Sequence, residues 1–375
     1  MTDNIFHDRQ NKLRSLLEKY ELQAVGLNPG PDLSYLTGLD FHLMERPVLG
    51  IFPRAGDPVF ILPELEGAKI ASLPFPIRSF LFNEDTETWT DVFRAALIEA
   101  DLVTGKIGII PRRLRLLEQH YLLGAAPEMS LESAQPILTE MRRIKSEDEI
   151  KFMSEAVRIA ECALSSTIMA IKPGVTEKEI AGRLVGRLLQ EGSDPELPFF
   201  PIVSFGENAA NPHATPTNRT LNPGDILLID WGASHQGYFS DITRVFAMGD
   251  LRPEIDQIAK FVQDANAAAR DAVKPGIPAS AVDHAARQVI EDAGYGEYFF
   301  HRTGHGLGLE AHEEPNISQY DQTILEPGMT FTIEPGIYLP KRGGVRIEDD
   351  IVVTEDGGLS LTSATRDLTQ LLIEE

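Results

Sequence analysis

The feature that most constrains the fold is an internal duplication in the later part of the chain. The segment IKPGVTEKEIAGRLVGRLLQEG, residues 171–192, resembles VKPGIPASAVDHAARQVIEDAG, residues 273–294, since each opens with Lys-Pro-Gly, has helical periodicity and closes on glycine. Further on, LNPGDILLIDWG, residues 221–232, resembles LEPGMTFTIEPG, residues 325–336. Because the shift between the copies is nearly constant, residues 146–375 are predicted to form two copies of a helix-plus-antiparallel-strand unit with pseudo-twofold symmetry.

The chain before this duplication has a different pattern, in which short strands alternate with helices. Helical periodicity covers residues 8–20 and 86–100, and apolar runs such as AVGLN, PVFIL and KIGII are typical of strands. The pattern changes at Ser146–Glu149, where the sequence SEDE has the form of a helix capping box. We therefore predict an α/β domain over residues 1–140 and an α+β domain over residues 146–375.

Composition argues against several kinds of partner. The net charge of −23 does not favour binding to nucleic acid or to an anionic membrane surface. The chain has no apolar run of about eighteen residues, and its beginning, MTDNIFHDRQ, lacks the core of a signal peptide. The single cysteine, Cys162, lies at helical spacing among apolar residues, so it is interpreted as a packing residue. A reducing, cytoplasmic compartment is expected.

The first copy places two acids in a predicted hairpin. Asp230 closes the apolar run ILLID, and YFSDITRVF reads as the returning strand. A symmetric loop centred between His235 and Gln236 would set Asp230 directly opposite Asp241. Two facing carboxylates repel one another unless a cation lies between them.

The second copy repeats this arrangement. Glu334 closes the run TFTIE, and a loop centred on Lys341 would set it opposite Glu348, with Arg346 on the same strand face as Glu348. If the copies are related by an axis, four carboxylates converge, which is strongly unfavourable unless they hold divalent cations. The alternative is that these are ordinary exposed strand acids, and it is weakened by their apolar flanks and their repetition.

The histidines supply a further candidate ligand. The run HRTGHGLGLEAHEEP contributes His301, His305 and His312, and its glycines exclude a regular helix and favour a strand or loop whose backbone closely approaches another segment. His213 lies in a loop, where a lone histidine is usually solvated. Four acids and one imidazole suit two ions a few Å apart and favour manganese, cobalt or zinc, with iron left open. The remaining histidines are interpreted as surface residues: His7, His42, His120, His235 and His284.

Five motifs occur in a recognisable order: NPHATP, DWGASHQGYFSDITR, HRTGHGLGLEAHEEP, FTIEPGIY and VRIEDD. Together they resemble the proline-directed branch of the pita-bread-fold metallopeptidases, which comprises prolidase (Xaa-Pro dipeptidase) and aminopeptidase P. The resemblance covers essentially the whole chain. It implies an α/β creatinase-type N-terminal domain, followed by an α+β pita-bread catalytic domain that is duplicated with pseudo-twofold symmetry. It also implies hydrolysis of the Xaa-Pro bond at the N-terminus of dipeptides or short peptides, two divalent ions with manganese preferred to cobalt or zinc, and a homodimer.

Matched motif by motif, the resemblance implies roles for individual residues. The implied metal ligands are Asp230, Asp241, His305, Glu334 and Glu348. Asp241 and Glu348 would bridge both ions, and a hydroxide shared by the ions would attack the scissile carbonyl. Glu334 also matches a proton shuttle to the leaving nitrogen. The residues implied to lie on the substrate side are His213, His301, His312 and Arg346.

Three alternatives stay open. The enzyme could be an aminopeptidase P that acts on longer Xaa-Pro peptides, because the room beyond the proline site is not readable from the sequence. It could act on another small substrate, although the intact ligand set argues against metal-independent creatinase-like chemistry and the leading domain argues against methionine aminopeptidase. It could also be a non-catalytic binding protein, but such relatives usually lose ligands or gain long insertions, and this chain shows neither.

Overall fold

A computed structural model describes residues 2–371 of the chain, with the side chains of residues 5–371. Residue 1 of the predicted N-terminal domain and residues 372–375 of the predicted catalytic domain lie outside the described residues. The chain divides into two compact units, Met1–Arg142 and Arg143–Glu375. Within the described part of the chain, no helix is both long and apolar enough to cross a membrane.

The first unit is an α/β domain. Its elements are α1 (Thr2–Lys19), β1 (Ala24–Leu27), α2 (Pro31–Thr37), β2 (Leu49–Pro53), β3 (Val59–Pro63), α3 (Gly67–Ile70), β4 (Arg78–Phe82), α4 (Trp89–Glu99), β5 (Thr104–Ile109), α5 (Leu116–Ala125), β6 (Glu128–Ser133) and α6 (Gln135–Arg142). The strands form one mixed sheet in the order β4-β3-β2-β1-β5-β6. Helix α4 packs Phe93 and Leu97 onto Ile61 and Ile107 of the sheet.

The second unit carries the duplication. Its elements are α7 (Glu147–Ile168), α8 (Glu177–Gln190), β7 (Ile202–Phe205), β8 (Ile226–Trp231), β9 (Ser234–His235), β10 (Tyr238–Phe239), β11 (Ile242–Met248), α9 (Pro253–Ala272), α10 (Ala279–Asp292), β12 (Gly304–Gly306), β13 (Glu313–Ile317), β14 (Thr330–Ile333), β15 (Gly336–Leu339), β16 (Gly343–Arg346), β17 (Asp349–Thr354), β18 (Gly357–Ser360) and β19 (Thr369–Leu371). Two larger sheets have the orders β19-β11-β8-β7 and β13-β12-β14-β17-β18.

The two copies of the repeat adopt the same element order. Helices α7 and α8 with strands β7, β8 and β11 form one copy, and α9 and α10 with β12, β14 and β17 form the other. The glycine after each Lys-Pro has a left-handed backbone, with φ of 89° at Gly174 and 86° at Gly276. The Leu-x-Pro-Gly glycines match as well, with φ of 89° at both Gly224 and Gly328. Glycine is the residue that adopts this conformation without a steric cost, so the repeated sequence encodes a repeated backbone.

Each sheet has an outer face against its own helices and an inner face toward the other copy. In β8, Leu227 and Ile229 pack with α7 and α8, whereas Leu228 belongs to a core that also contains Phe331 of the second copy. The two copies touch directly at an isolated antiparallel bridge between Thr243 and Glu348. Any polar side chain on the inner faces near this bridge is therefore held between the two copies.

Candidate metal centre and active site

Asp230 owes its position to the alternation of side chains along β8. Its neighbours Ile229 and Trp231 face the helices of the first copy, and Trp231 Nε1 donates a 2.8 Å hydrogen bond to the carbonyl of Ala160. Alternation therefore turns Asp230 to the inner face. The side chain is nevertheless buried, with the residue only 7% exposed.

The predicted register of the first hairpin is wrong by two residues. Asp230 pairs with Thr243, not with Asp241, and the pairing of His235 with Tyr238 leaves a two-residue turn. That turn, Gln236–Gly237, has positive φ at both residues, 53° and 77°, as a type I′ turn requires. A shift of two residues preserves the strand face, because side chains alternate with a period of two. Asp241 and Thr243 therefore still share the inner face with Asp230.

The second hairpin has the predicted register. Ile333 pairs with Asp349 and Gly336 pairs with Arg346, so Glu334 and Glu348 lie at facing positions between the two paired segments. Arg346 shares the face of Glu348, with Arg346 Nε 4.0 Å from Glu348 Oε2. The side chain of Glu334 is 16% exposed, whereas that of Glu348 is only 2% exposed.

His305 lies on the short strand β12 between β13 and β14. The glycines around it permit close packing, because a Cβ atom on Gly304 would lie 1.8 Å from the carbonyl oxygen of Thr332. His305 Nδ1 is 3.1 Å from the carbonyl oxygen of Gly306, which can only accept, so Nδ1 carries the proton. Nε2 then presents a lone pair toward two acids, at 3.4 Å from Glu334 Oε1 and 3.7 Å from Asp241 Oδ2.

Arg346 joins the two sides of the site. Its Nη2 lies 2.5 Å from Asp230 Oδ2, and its Nε donates to Thr243 Oγ1 at 3.1 Å. The Thr243 hydroxyl donates in turn to Glu348 Oε2 at 2.6 Å. Arg346 therefore holds one acid from the first copy directly and one acid from the second copy through a threonine.

A second chain of hydrogen bonds runs from Arg346 to His301. Arg346 Nη1 donates to the Tyr338 hydroxyl at 3.0 Å, and that hydroxyl lies 2.9 Å from His301 Nε2. His301 Nδ1 lies 2.7 Å from the carbonyl oxygen of Arg302 and must donate to it, so Nε2 accepts from Tyr338. Burial supports these protonation states, since it lowers the pKa of His301 to about 4 and raises that of Tyr338 to about 12.

The acids of the site have raised pKa values, so they bind protons more tightly than solvated acids do. Burial, reinforced by the neighbouring acids, raises the pKa values of Asp241 and Glu348 well above their usual range. Burial and the charge of Asp230 raise the pKa of Glu334 to about 7, against the opposing effect of Arg346. Conversely, burial lowers the pKa of His305 well below its usual value, which keeps the imidazole neutral.

The remaining predicted residues lie at the edge of this cluster. His312 is exposed, and its ring packs edge-on against that of His305 with the centroids 4.2 Å apart. His213 is exposed in its loop, next to Pro212, whose carbonyl oxygen lies 3.4 Å from Arg346 Nη1.

Sequence reasoning missed three residues of the site: Tyr338, Thr243 and Asp350. The signal for each was strand alternation, because Tyr338 is four residues after Glu334, whereas Thr243 and Asp350 each follow a predicted ligand by two residues. Asp350 Oδ2 accepts the backbone N–H of Asp241 at 3.1 Å.

These residues fit a bound divalent cation. One oxygen or nitrogen from each of Asp241, His305 and Glu348 lies within 4.8 Å of the others. The lone pair of a neutral imidazole facing carboxylates is repulsive unless a cation accepts from all of them. Among the described residues, no donor reaches the buried Oδ1 of Asp230, which leaves that atom available as a further ligand. The donor set of acid oxygens and imidazole suits a hard or borderline metal.

A neutral imidazole among buried carboxylates, held between two copies of one α+β unit, is typical of a metal-dependent enzyme. Residues 151–355 match metallopeptidase family M24, and residues 9–144 match the Creatinase/Prolidase N-terminal domain. The chain belongs to metallopeptidase family M24. The predicted family and fold, with a creatinase-type N-terminal domain and a pita-bread catalytic domain, are therefore confirmed, and the non-catalytic alternative is not supported.

Individual relatives match over nearly their full length. A Xaa-Pro dipeptidase of Pyrococcus horikoshii is 34% identical, covering 97% of this chain and 99% of the relative. The crystal structure of a prolidase from Thermococcus sibiricus is 36% identical, with a TM-score of 0.92 over 98% of this chain and 99% of that chain. The crystal structure of an X-Pro aminopeptidase from Thermotoga maritima is 29% identical, with a TM-score of 0.82 over 94% of this chain and 99% of that chain.

Proposed function

We propose that this enzyme is a Xaa-Pro dipeptidase that hydrolyses the bond before proline with the help of two divalent ions. The observation that carries the proposal is the neutral His305, whose Nε2 faces Glu334 and Asp241 at 3.4 and 3.7 Å. The substrate assignment is supported by the full-length similarity to a Xaa-Pro dipeptidase and a prolidase.

Five residues would hold the ions. They are Asp230, Asp241, His305, Glu334 and Glu348, and one ligand atom from each of Asp241, His305 and Glu348 lies within 4.8 Å of the others. When bound, the ions supply the Lewis acidity that makes water a nucleophile near neutral pH and polarises the scissile carbonyl. We further propose manganese as the native metal, with cobalt or zinc as alternatives. The N-terminal domain is proposed to span residues 1–140 and the catalytic domain residues 146–375.

The other side chains of the site would bind and orient the substrate, and one of the five metal ligands would also move a proton. Glu334, whose side chain is 16% exposed, would pass a proton to the leaving nitrogen. His213 and His312 are exposed at the edge of the metal ligands and would donate to the substrate carbonyl. Arg346 and His301 are fixed by Tyr338 and would orient the peptide.

Two further features are proposed from the sequence and the family. A homodimer is implied by the family resemblance and is testable by light scattering. A cytoplasmic location is supported by the single cysteine, Cys162, which is unpaired and half-buried.

The substrate proposal predicts a preference for dipeptides. We expect kcat/KM for a Xaa-Pro dipeptide to exceed that for the same sequence extended by two residues by about 10-fold or more, and Xaa-Ala dipeptides to be poor substrates. Each peptide should be assayed with manganese, cobalt and zinc in turn. Faster cleavage of the extended peptide would instead identify an aminopeptidase P, the alternative that the similarity to an X-Pro aminopeptidase supports. No cleavage of any Xaa-Pro peptide with any of the metals would contradict both.

The guanidinium of Arg346 predicts a second effect. In Arg346→Lys the positive charge remains, but one ammonium cannot replace contacts to Asp230, Thr243 and Tyr338 together. We expect kcat/KM to fall about 10-fold, with metal content unchanged. The matched control is Arg342→Lys in the turn of the same hairpin, because Arg342 pairs with the surface residue Glu254. Equal activity of both variants would show that the several contacts of the Arg346 guanidinium are not needed for catalysis.

A further inference from the structure

The backbone that carries His301 has no regular secondary structure. This stretch, residues 299–303, is here named the His301 segment, and it connects the end of the second helix pair to β12. It meets the site at two points. His301 Nε2 accepts from Tyr338, and the carbonyl oxygen of Thr303 accepts the backbone N–H of Glu334 at 2.7 Å. The position of this segment therefore sets the positions of a substrate-side histidine and of the proposed proton shuttle.

Helix α10 fixes the His301 segment with one ion pair. Asp283 is fully buried, and its Oδ1 accepts from Thr303 N at 3.1 Å and from Thr303 Oγ1 at 2.8 Å. Arg287, one helical turn later, donates to both oxygens of Asp283 at 3.0 Å. The same guanidinium donates to the carbonyl oxygens of Phe299 and His301, each at 2.9 Å.

The geometry of this pair indicates positioning rather than stability alone. A buried ion pair stabilises a fold little more than well-packed apolar residues would, because desolvation offsets its attraction. Here the pair lies beside apolar residues such as Phe299, yet Arg287 also donates to two carbonyl oxygens of the His301 segment and Asp283 accepts twice from Thr303. The pair supplies hydrogen-bond partners for four polar groups of a segment that does not pair with a neighbouring strand.

The first copy contains a comparable arrangement. Glu177, at the start of α8, is fully buried and accepts from Phe205 N at 2.8 Å and from Thr217 N at 2.8 Å. It thereby fixes both ends of the loop that carries His213. Each copy thus uses a buried acid, from the helix after Lys-Pro-Gly, to hold an irregular segment that carries a histidine of the site.

We propose that Asp283 and Arg287 are positioning residues for catalysis, which hold His301 and Glu334 in their working positions through the backbone of the His301 segment. The inference rests on the proposed function, in which those two residues act on the substrate. Asp283 and Arg287 act through the backbone of Phe299, His301 and Thr303.

The test compares Asp283→Asn, Arg287→Lys and Thr303→Val with the conservative Thr303→Ser, which keeps the hydroxyl donor. Asp292→Asn serves as the matched control, because Asp292 lies on the exposed face of the same helix and accepts from Gln288 at 2.7 Å. For the first three variants we expect kcat on a Xaa-Pro dipeptide to fall about 10-fold, with KM and metal content nearly unchanged. Thr303→Ser and Asp292→Asn should retain wild-type kcat.

A readout independent of activity separates this proposal from the proposed function. In zinc-loaded, histidine-labelled protein, the NMR signals of the His301 ring, assigned by their loss in His301→Gln, should shift in Arg287→Lys and Thr303→Val but not in Asp292→Asn. Unmoved His301 signals, or unchanged kcat in folded Arg287→Lys, would overturn the positioning role. If the wild type cleaves no Xaa-Pro peptide, the proposed function fails, and the ring signals still decide whether the pair positions His301.

Discussion

The Asp241→Ala enzyme will lose its bound metal and at least about 1,000-fold of its activity together, and Glu348→Ala will behave in the same way. The physical reason is that both acids lie at the centre of the cluster, where their oxygens are within 4.8 Å of the ligand nitrogen of His305. Removing either one would take a ligand from the centre of the proposed metal site. A metal ion supplies several kcal/mol of transition-state stabilisation, and about 4 kcal/mol corresponds to 1,000-fold in rate.

The measurement is elemental analysis and kcat on a Xaa-Pro dipeptide for the same preparation. Asp356→Ala is the matched control, because Asp356 is an exposed acid in the turn that follows β17, the strand next to Glu348. It should keep full metal content and activity. If Asp241→Ala or Glu348→Ala retained full turnover, the cluster would not be the catalytic centre. If either variant lost activity with two ions still bound, the acid would have a role other than ligation.

The duplication and the acids were readable from the sequence because both depend on local rules. Glycine at a fixed offset encodes a left-handed backbone residue, as Gly174 and Gly276 demonstrate with φ of 89° and 86°. An acid at the end of an apolar strand predicts a buried charge that needs a partner, which holds for Asp230. Such rules involve neighbouring residues only, so they need no knowledge of how the copies pack.

Features that depend on turn chemistry and on distant contacts could not be predicted in this way. The register of the first hairpin was wrong because Gln236 adopts a positive φ of 53°, which few non-glycine residues do. The role of Thr243 depends on contact with Glu348, which is 105 residues away in sequence. In the first unit, the N-cap position before helix α5 is occupied by Arg115 and not by the Ser, Thr, Asp or Asn that usually signals a helix start.

Two adjacent acids on β17 have opposite pKa shifts because strand alternation places their side chains on opposite faces of the sheet. Asp349 is fully buried, and although burial would raise its pKa, Arg244 and Arg366 outweigh burial and hold the value at about 2. Asp350 lies on the opposite face, where burial raises its pKa well above the usual range and its Oδ1 has no hydrogen-bond partner among the described residues. The first acid is compensated by the protein itself, whereas the second lies on the face of the proposed metal ligands, where burial makes ionisation costly.

The cost of ionising the buried acids of the site predicts that the metal-free protein loses stability as the pH rises. Glu334 has a pKa of about 7 in the folded chain, compared with 4.5 for an ordinary, solvated glutamate side chain. Its contribution is fully present below pH 4.5 and is lost as the pH rises through 7, because the unfolded chain releases the proton first. Between pH 5 and 8 the loss amounts to about 2–3 kcal/mol in the free energy of unfolding. Histidines such as His301, whose pKa is lowered, oppose this trend, so a reference protein is needed.

The reference is Glu334→Gln, in which the amide does not titrate while the histidines remain. We expect the metal-free wild type to lose about 2–3 kcal/mol relative to this variant from pH 5 to 8, or about 5–10 °C in melting temperature. Tryptophan fluorescence in a Trp89→Phe background reports on the catalytic unit alone, because Trp231 is then the only tryptophan. Manganese added at pH 8 should restore the stability of the wild type by binding the folded state, and should restore that of Glu334→Gln less. Parallel pH dependence in the two proteins would mean that Glu334 ionises normally, and the site would then have no electrostatic need for a cation at that position.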